Sequence, residues 1–508
     1  TRGRAGRFML RAWGTPAFVA GTVALLVGAS LTVGQPQAEA RAARGTPPEN
    51  APNVLLIVVD TLRADHLPAY GYERGSTPNL DRFAEDAVRY EWAFANASWT
   101  RPSFASILTG RYASSHGVMG KPDALPDELV TLPEVLQENG YTTAGFVTNF
   151  NVAPYFNFQQ GFDEYEFLEP AFVLGADDAA AKLLLVQAMR QTIEKMRARS
   201  GSVQPGTAYQ DAETVNRRLF AWLDERPEGE PFFLFAGYMD PHDPYFPHPY
   251  DGTGYARAAN QRPDLSEAPR LRELYDGEIT YWDEHFGRLI EELKRRGVYD
   301  DTMIVITSDH GEEFGEHGGF WHGTTLYDEQ LHIPLYVKYP RNARAGTRTS
   351  HWVQLIDLMP SILGEIGLPI PEGVQGGRLD QGTELVFAEE SHEGNVLASV
   401  RERRDFEERK IITANAGNPR GLEPVELYRT AEDPGEQSNV AEEERERVQA
   451  LMRTLQEAQQ RAAEGAVETS ETRELDEDTR RQLCAIGYLD AGECCRDGLL
   501  SGDPCRGT

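Results

Sequence analysis

The sequence predicts an α/β domain on a mainly parallel sheet flanked by helices, followed by a smaller C-terminal antiparallel subdomain. Three observations carry this expectation. Uninterrupted apolar runs recur between residues 50 and 375, segments of helical spacing separate them, and past Pro371 short strands alternate with turn residues. Continuous apolar strands are buried on both faces, as in a parallel sheet covered by helices. Strands alternating with helices define an α/β domain.

Residues 1–40 come first. Arg2, Arg4, Arg7 and Arg11 precede an apolar run from about Thr15 to Gly34, and Ala38-Glu39-Ala40 follows. A basic start, an apolar centre and a small-residue site read as an export signal; an uncleaved membrane anchor is the alternative. The expected location is periplasmic or extracellular, with membrane contact only through this segment if it stays attached.

The expected strands of the α/β domain, residues 50–375, are 53–60, 143–148, 231–236, 302–307 and 333–337. Residues 271–295 have helical spacing, with Leu274, Ile279, Phe286, Leu289, Ile290 and Leu293 on one stripe. Residues 376–439 hold the short strands of the antiparallel subdomain. Residues 440–463 form one amphipathic helix, with Val448, Leu451, Leu455 and Ala458 on its stripe. The tail, 464–508, is an acidic linker followed by Cys484, Cys494, Cys495 and Cys505. An even cysteine count behind an export signal suggests two disulfides, of open pairing.

The chain has 508 residues, 50 Lys+Arg and 80 Asp+Glu, a net charge of -30. Such acidity argues against a nucleic-acid partner, because phosphate backbones need a basic face. It leaves room for a locally positive pocket and an anionic substrate.

Four pieces of the α/β domain carry chemistry. Asp60, followed by Thr61, ends the first strand, where ligands bind in such sheets; a turn or capping Asp is the bland alternative. Thr100 stands just before Pro102, which suits the first turn of a helix. An anion is favoured there and a hydroxyl is placed to attack, unless Thr100 simply caps the helix. Asp240 and His242 project from a Pro-rich loop after the third run. Asp309 and His310 follow the fourth, and His317 and His322 come within twelve residues of His310. Asp60, Thr100, Asp309 and His310 together would offer a divalent cation three oxygens and one nitrogen, a donor set suited to Mn, Zn, Mg or Ca. The cation would lower the pKa of the Thr100 hydroxyl, and His242 and His322 would bind ester oxygens and protonate the leaving group.

These motifs resemble the sulfatase family of the alkaline-phosphatase superfamily. The resemblance runs through "NVLLIVVDTLRADHLPAYGY", "SILTGRYASSHGV", "YMDPHDPY", "VITSDHGEEFGEHG", "LYDEQLHIPL" and "ELYRTAEDPGEQSNVA". It implies that superfamily's α/β fold, with Asp60, Asp309 and His310 as metal ligands and Thr100 at the nucleophile position. It also implies that His242 and His322 are active-site histidines. Arg101 and Asp240 are expected to bind substrate; Asp240 with His242 could instead serve a second metal, as in two-zinc relatives. True sulfatases carry Cys or Ser in C/S-x-P-x-R, which becomes formylglycine. Here the stretch is Thr100-Arg101-Pro102-Ser103-Phe104, so no formylglycine is expected, and Thr61 replaces a second acidic ligand. The expected activity is metal-dependent hydrolysis or transfer of phosphoesters and phosphodiesters. The substrate would be a small, glycan-linked or lipid-linked anionic ester. A sulfatase without formylglycine and a non-catalytic binding protein of the same fold are the alternatives.

Overall fold

The computed structural model describes residues 44–170, 209–257, 260–404 and 407–467. The expected export signal or anchor, most of the acidic linker and all four cysteines lie outside these residues. The described residues from Gly45 onward belong to one compact unit.

An eight-stranded sheet organises the α/β domain, in the order β10-β2-β9-β6-β1-β5-β3-β4. Its strands are β1 (Asn53–Val59), β2 (Val88–Phe94), β3 (Thr142–Val147), β4 (Glu164–Phe167), β5 (Phe232–Tyr238), β6 (Thr302–Thr307), β9 (His332–Lys338) and β10 (Thr347–Gln354). Two short strands, β7 (Glu313–Phe314) and β8 (Phe320–Trp321), pair separately. β1 lies parallel between β5 and β6, with Leu56 opposite Phe235 and Val305. The reason is legible in its residues. Val54, Leu56 and Val58 pack into one hydrophobic core, while Leu55, Ile57 and Val59 pack into the core on the opposite face. A strand buried on both faces needs an apolar residue at every position. Each such side chain contributes about 1.5–3 kcal/mol, so a charge at Leu56 or Ile57 would unmake the centre of the sheet.

The expected run at 333–337 is β9, but it lies antiparallel to β6 and β2 rather than parallel. Two strands of the sheet's other half, β2 and β10, have no continuous apolar run. β2 mixes buried and half-buried positions, and β10 is buried only over its last three residues, which hides both from a search for fully buried strands. Helices cover both faces. The longest, Ala268–Arg295, buries Leu271, Ile279, Trp282, Phe286 and Leu293 against the β1 side chains of one face.

The subdomain has four antiparallel strands in sequential order: β11 (Leu385–His392), β12 (Asn395–Arg404), β13 (Glu407–Ala414) and β14 (Val425–Tyr428). The amphipathic helix is Arg445–Ala462, starting later than expected because residues 441–443 form a turn. It sets Leu451, Leu455 and Ala458 against Val400, Ile411 and Leu427.

The topology fixes where a site can form. β6, β1, β5 and β3 are consecutive and parallel, so their C-terminal ends share one edge of the sheet. Asp309, Asp60, Asp240 and Asn149 follow those ends, where open α/β sheets bind ligands.

Candidate active site

Asp60, Asp309 and His310 form a buried group whose ligand atoms lie within 4.8 Å of one another. His310 Nε2 is 3.3 Å from Asp309 Oδ2 and 3.8 Å from Asp60 Oδ1. The His310 Nδ1 is 2.9 Å from the carbonyl of Gly311, so it carries the proton and Nε2 presents its lone pair to the carboxylates. Gly311 is required here: a Cβ would meet the Glu329 carbonyl at 2.1 Å.

One oxygen of each carboxylate is held and the other is left over. Asp309 Oδ1 accepts from the backbone N–H of Thr61 at 3.2 Å and of His310 at 3.0 Å. Asp60 Oδ2 accepts from Asn149 Nδ2 at 2.5 Å. Asp60 Oδ1 and Asp309 Oδ2 are buried with no hydrogen-bond partner. Burial pushes Asp309 up to about 7 and His310 down to about 4. Burial, with Asp309 beside it, holds Asp60 well above the carboxylate range. Two orphaned carboxylate oxygens facing an imidazole lone pair fit a divalent cation, which would supply the missing positive charge. Thr61, between strand and site, has φ 58°, an uncommon conformation for a β-branched residue. That turn aims its N–H at Asp309.

Thr100 opens the buried helix Thr100–Thr109. Trp99 is the N-cap and no side chain caps the helix, so the Thr100 hydroxyl is not used as a cap. Its Oγ1 receives a hydrogen bond from Asn149 Nδ2 at 3.3 Å and lies 3.4 Å from His310 Nε2. Asn149 Oδ1 is occupied by the N–H of Asn151 at 2.8 Å, which forces the amide nitrogen toward the site. The hydroxyl thus sits between a donor and an acceptor, at the positive end of the helix dipole.

His242 and His322 stand nearby. Their ring centroids are 5.0 Å apart, and His322 is 4.5 Å from His310. His322 Nδ1 is 3.0 Å from Glu312 Oε1, and Glu312 Oε2 accepts from Tyr245 at 3.0 Å. Burial raises Glu312 and lowers His322, and both shifts favour the neutral pair over the ion pair. His242 Nδ1 is 2.5 Å from the carbonyl of Asp243, and burial lowers its pKa too. Thr100, His242 and His322 line one cavity, with Trp99, Lys121, Asn151, Asp243, Arg257, His392 and Glu393.

Two expected substrate-binding residues are not in that lining. Arg101 is buried beneath it and donates to the carbonyls of Asn151, Gly120, Lys121 and Asp123 and to Asn151 Oδ1. Its guanidinium also lies 3.5 Å from the Phe156 ring centroid. With its donors engaged, it stiffens the loops around the helix start instead of meeting an anion. Asp240 is buried near Glu278 and Asp211; burial and those charges hold its carboxyl well above the usual range. Two residues the sequence reading passed over are central. Asn149 could have been found as the polar residue after a parallel strand, the rule that found Asp60. Glu312 was in plain view two residues after His310.

The sheet, the strand-end carboxylates and the helix start define a hydrolase of the alkaline-phosphatase superfamily. The chain belongs to the sulfatase family, whose family model (Sulfatase) matches residues 52–368. It is 28% identical over 395 residues to the multifunctional alkaline phosphatase superfamily protein PehA of Trinickia caryophylli, spanning 64% of this chain and 76% of that protein. It is 23% identical over 418 residues to an N-acetylglucosamine-6-O-sulfatase of Bacteroides thetaiotaomicron, spanning 65% and 70%. The solved phosphonate monoester hydrolase of Agrobacterium radiobacter has the same fold, with a TM-score of 0.62 and 22% identity over 84% of this chain and 99% of that one.

Proposed function

We propose that this chain is a metal-dependent hydrolase or transferase of phosphoesters, including phosphodiesters, with Thr100 as its nucleophile. One observation supports this above the rest: an unmodified alcohol, Thr100 Oγ1, stands within 3.4 Å of His310 Nε2 at the start of a buried helix. Asp60, Asp309 and His310 would hold the divalent cation beside it, and a bound cation supplies the charge that acidifies the hydroxyl and polarises the ester.

The other roles follow from the chain's own groups. Asn149 orients Thr100 Oγ1 by donating to it. The oxygen attacks phosphorus as its proton passes to a neutral active-site imidazole, that proton is handed on to the leaving alcohol, and a phosphothreonine remains. Water then attacks phosphorus, its proton is relayed by an imidazole to Thr100 Oγ1, and the phosphate group leaves. His322, oriented by Glu312, and His242 are the imidazoles lining the cavity, suited to proton delivery and to oxygen binding. An alcohol nucleophile suits phosphoryl transfer better than sulfate. Sulfate release from the formylglycine of true sulfatases uses a route Thr lacks.

Sulfate ester hydrolysis is the second reading, favoured by the N-acetylglucosamine-6-O-sulfatase among the relatives. Metal-loaded protein assayed in parallel on an aryl phosphodiester, monoester and sulfate separates the two. The first reading expects phosphate esters to be cleaved and phosphothreonine to be trapped by acid quench. Faster sulfate turnover overturns it in favour of the second; no turnover of any ester overturns both.

A further inference from the structure

Across the cavity from the proposed nucleophile, one carboxylate oxygen gathers three nitrogen groups. Glu393 Oε1 is 3.0 Å from Lys121 Nζ, 3.8 Å from an Arg257 guanidinium nitrogen and 3.6 Å from His392 Nε2. Convergence on a single oxygen is the arrangement a bound oxyanion takes. All four residues line the same cavity as Thr100. Against the effect of burial, Lys121 and then Arg257 hold the Glu393 carboxyl down at about 2. Glu393 is therefore charged, and it is the counter-ion of both cations.

The backbone under Glu393 is unusual. Glu393 and Gly394 form the two-residue turn between β11 and β12, with His392 paired to Asn395. Their φ angles are 50° and 81°. Such a turn selects Gly, Asn or Asp at its first position, because φ is positive there. A glutamate accepts that conformation unfavourably, so its presence needs a reason beyond the turn. Its side chain is 31% exposed, and that of Lys121 is 30% exposed, so both can rearrange without opening the core.

We infer that Lys121 and Arg257 form a second anion subsite of this cavity, for a carboxylate, sulfate or phosphate on the alcohol part of the substrate, with Glu393 as its resident placeholder. The substrate class is then an ester that carries a second acidic group, such as an acidic sugar or a polyanionic alcohol. An incoming anion displaces the Glu393 carboxylate, which swings to solvent. An uncharged alcohol leaves the three-residue cluster closed. The inference rests on the ester-hydrolase reading for the identity of the cavity.

The test is a binding titration on metal-loaded Thr100→Ala protein, which removes the proposed nucleophile. The probes are phenyl phosphate and meta-carboxyphenyl phosphate, and the two corresponding sulfates. The carboxylated probe is expected to bind about tenfold tighter, a gap of about 1.4 kcal/mol. Adding Lys121→Ala or Arg257→Ala is expected to cut that preference to about twofold or less, with the melting temperature and the affinity for the uncharged-ring probe kept. Adding Glu393→Gln removes the competing carboxylate and is expected to widen the preference. No preference, or one unchanged by loss of either cation, overturns the subsite. A preference lost on Glu393→Gln overturns the placeholder role, since Glu393 would then itself hold the substrate. Turnover assays on the unsubstituted protein keep the two readings apart. A preference without turnover sinks the reaction class alone, and turnover without a preference sinks the subsite alone.

Discussion

Thr100 Oγ1 lies 3.4 Å from His310 Nε2, and the tautomer of His310 is set by the Gly311 carbonyl on its other nitrogen. In that tautomer His310 Nε2 can accept from the hydroxyl, whose oxygen accepts from the Asn149 amide. Removing the hydroxyl leaves that frame intact. Thr100→Ala is expected to lower turnover by at least about a thousandfold while the circular dichroism spectrum and the melting temperature stay near those of the parent. Thr100→Ser is expected to keep measurable activity. Full turnover in Thr100→Ala would end the nucleophile assignment.

The cation proposed at the orphaned oxygens of Asp60 and Asp309 would stabilise the fold as well as serve catalysis. Chelation is expected to lower the melting temperature and abolish turnover, and divalent metal to restore both. At a metal concentration about 100 times Kd the gain is about 2.7 kcal/mol. Asp309→Asn is expected to erase the metal-dependent shift in melting temperature. A shift that survives this substitution would place the cation elsewhere.

Glu312 holds His322 by one ring nitrogen. Glu312→Gln is expected to slow turnover by about 10- to 100-fold for alkyl leaving groups, which need a proton. Nitrophenolate, which leaves unprotonated, is expected to be cleaved at nearly the parental rate. Equal losses for both leaving groups would remove proton delivery from the role of His322.

Arg101 separates a structural role from a substrate role. Arg101→Ala would strand several buried carbonyls, each costing about 1–3 kcal/mol. The expected result is a loss of stability on the order of 3 kcal/mol in denaturant titrations, with KM changed less than kcat. A specific rise in KM with unchanged stability would return Arg101 to the substrate site.

His317 gives the fold a pH dependence. Its Nδ1 is 2.7 Å from Glu329 Oε1, its Nε2 is 3.0 Å from the Glu436 carbonyl, and its ring stacks on Tyr327 at 3.6 Å. Burial opposes its charge, but the Glu329 contact prevails and lifts its pKa to about 9. The folded value exceeds the unfolded value of about 6.5. The stabilisation is therefore complete below about pH 6.5 and is lost as pH rises to about 9. After allowance for solvent screening it is on the order of 1 kcal/mol. Urea titrations across that range are expected to show the decline, and His317→Gln to flatten it. A parental slope in the variant would assign the effect to another group.

Where the sequence was informative, it was so because one physical rule acts locally. β1 and β5 are apolar at nearly every position and β6 through its middle, and that pattern announces double-sided burial. Asp60, Asp309 and His310 follow such runs directly, so the candidate metal-binding group was legible as a cluster. The direction of β9 was not, because its residues look the same whichever way the strand runs. Arg101 and Asp240 were misjudged for a related reason. Sequence shows that a charged group sits near a site, and not which way its side chain turns. Arg101 turns into a nest of carbonyls contributed by residues about 20 and 50 positions away. The Lys121, Arg257 and Glu393 cluster joins three loops that share no motif, so no spacing rule reveals it.

The central position of β1 has a consequence for how the protein is made. The first strand of the sheet to be synthesised is the middle one, and its neighbours are encoded far downstream: Val54 waits for Phe233 and for Met303. Pairing over such separations is slow, and an unpaired apolar strand is open to aggregation meanwhile. His310 arrives only after some 60% of the 508 residues have been made. A ribosome-bound fragment ending before β6 would hold Asp60 and Thr100 without Asp309 and His310, so the candidate site is assembled late and all at once.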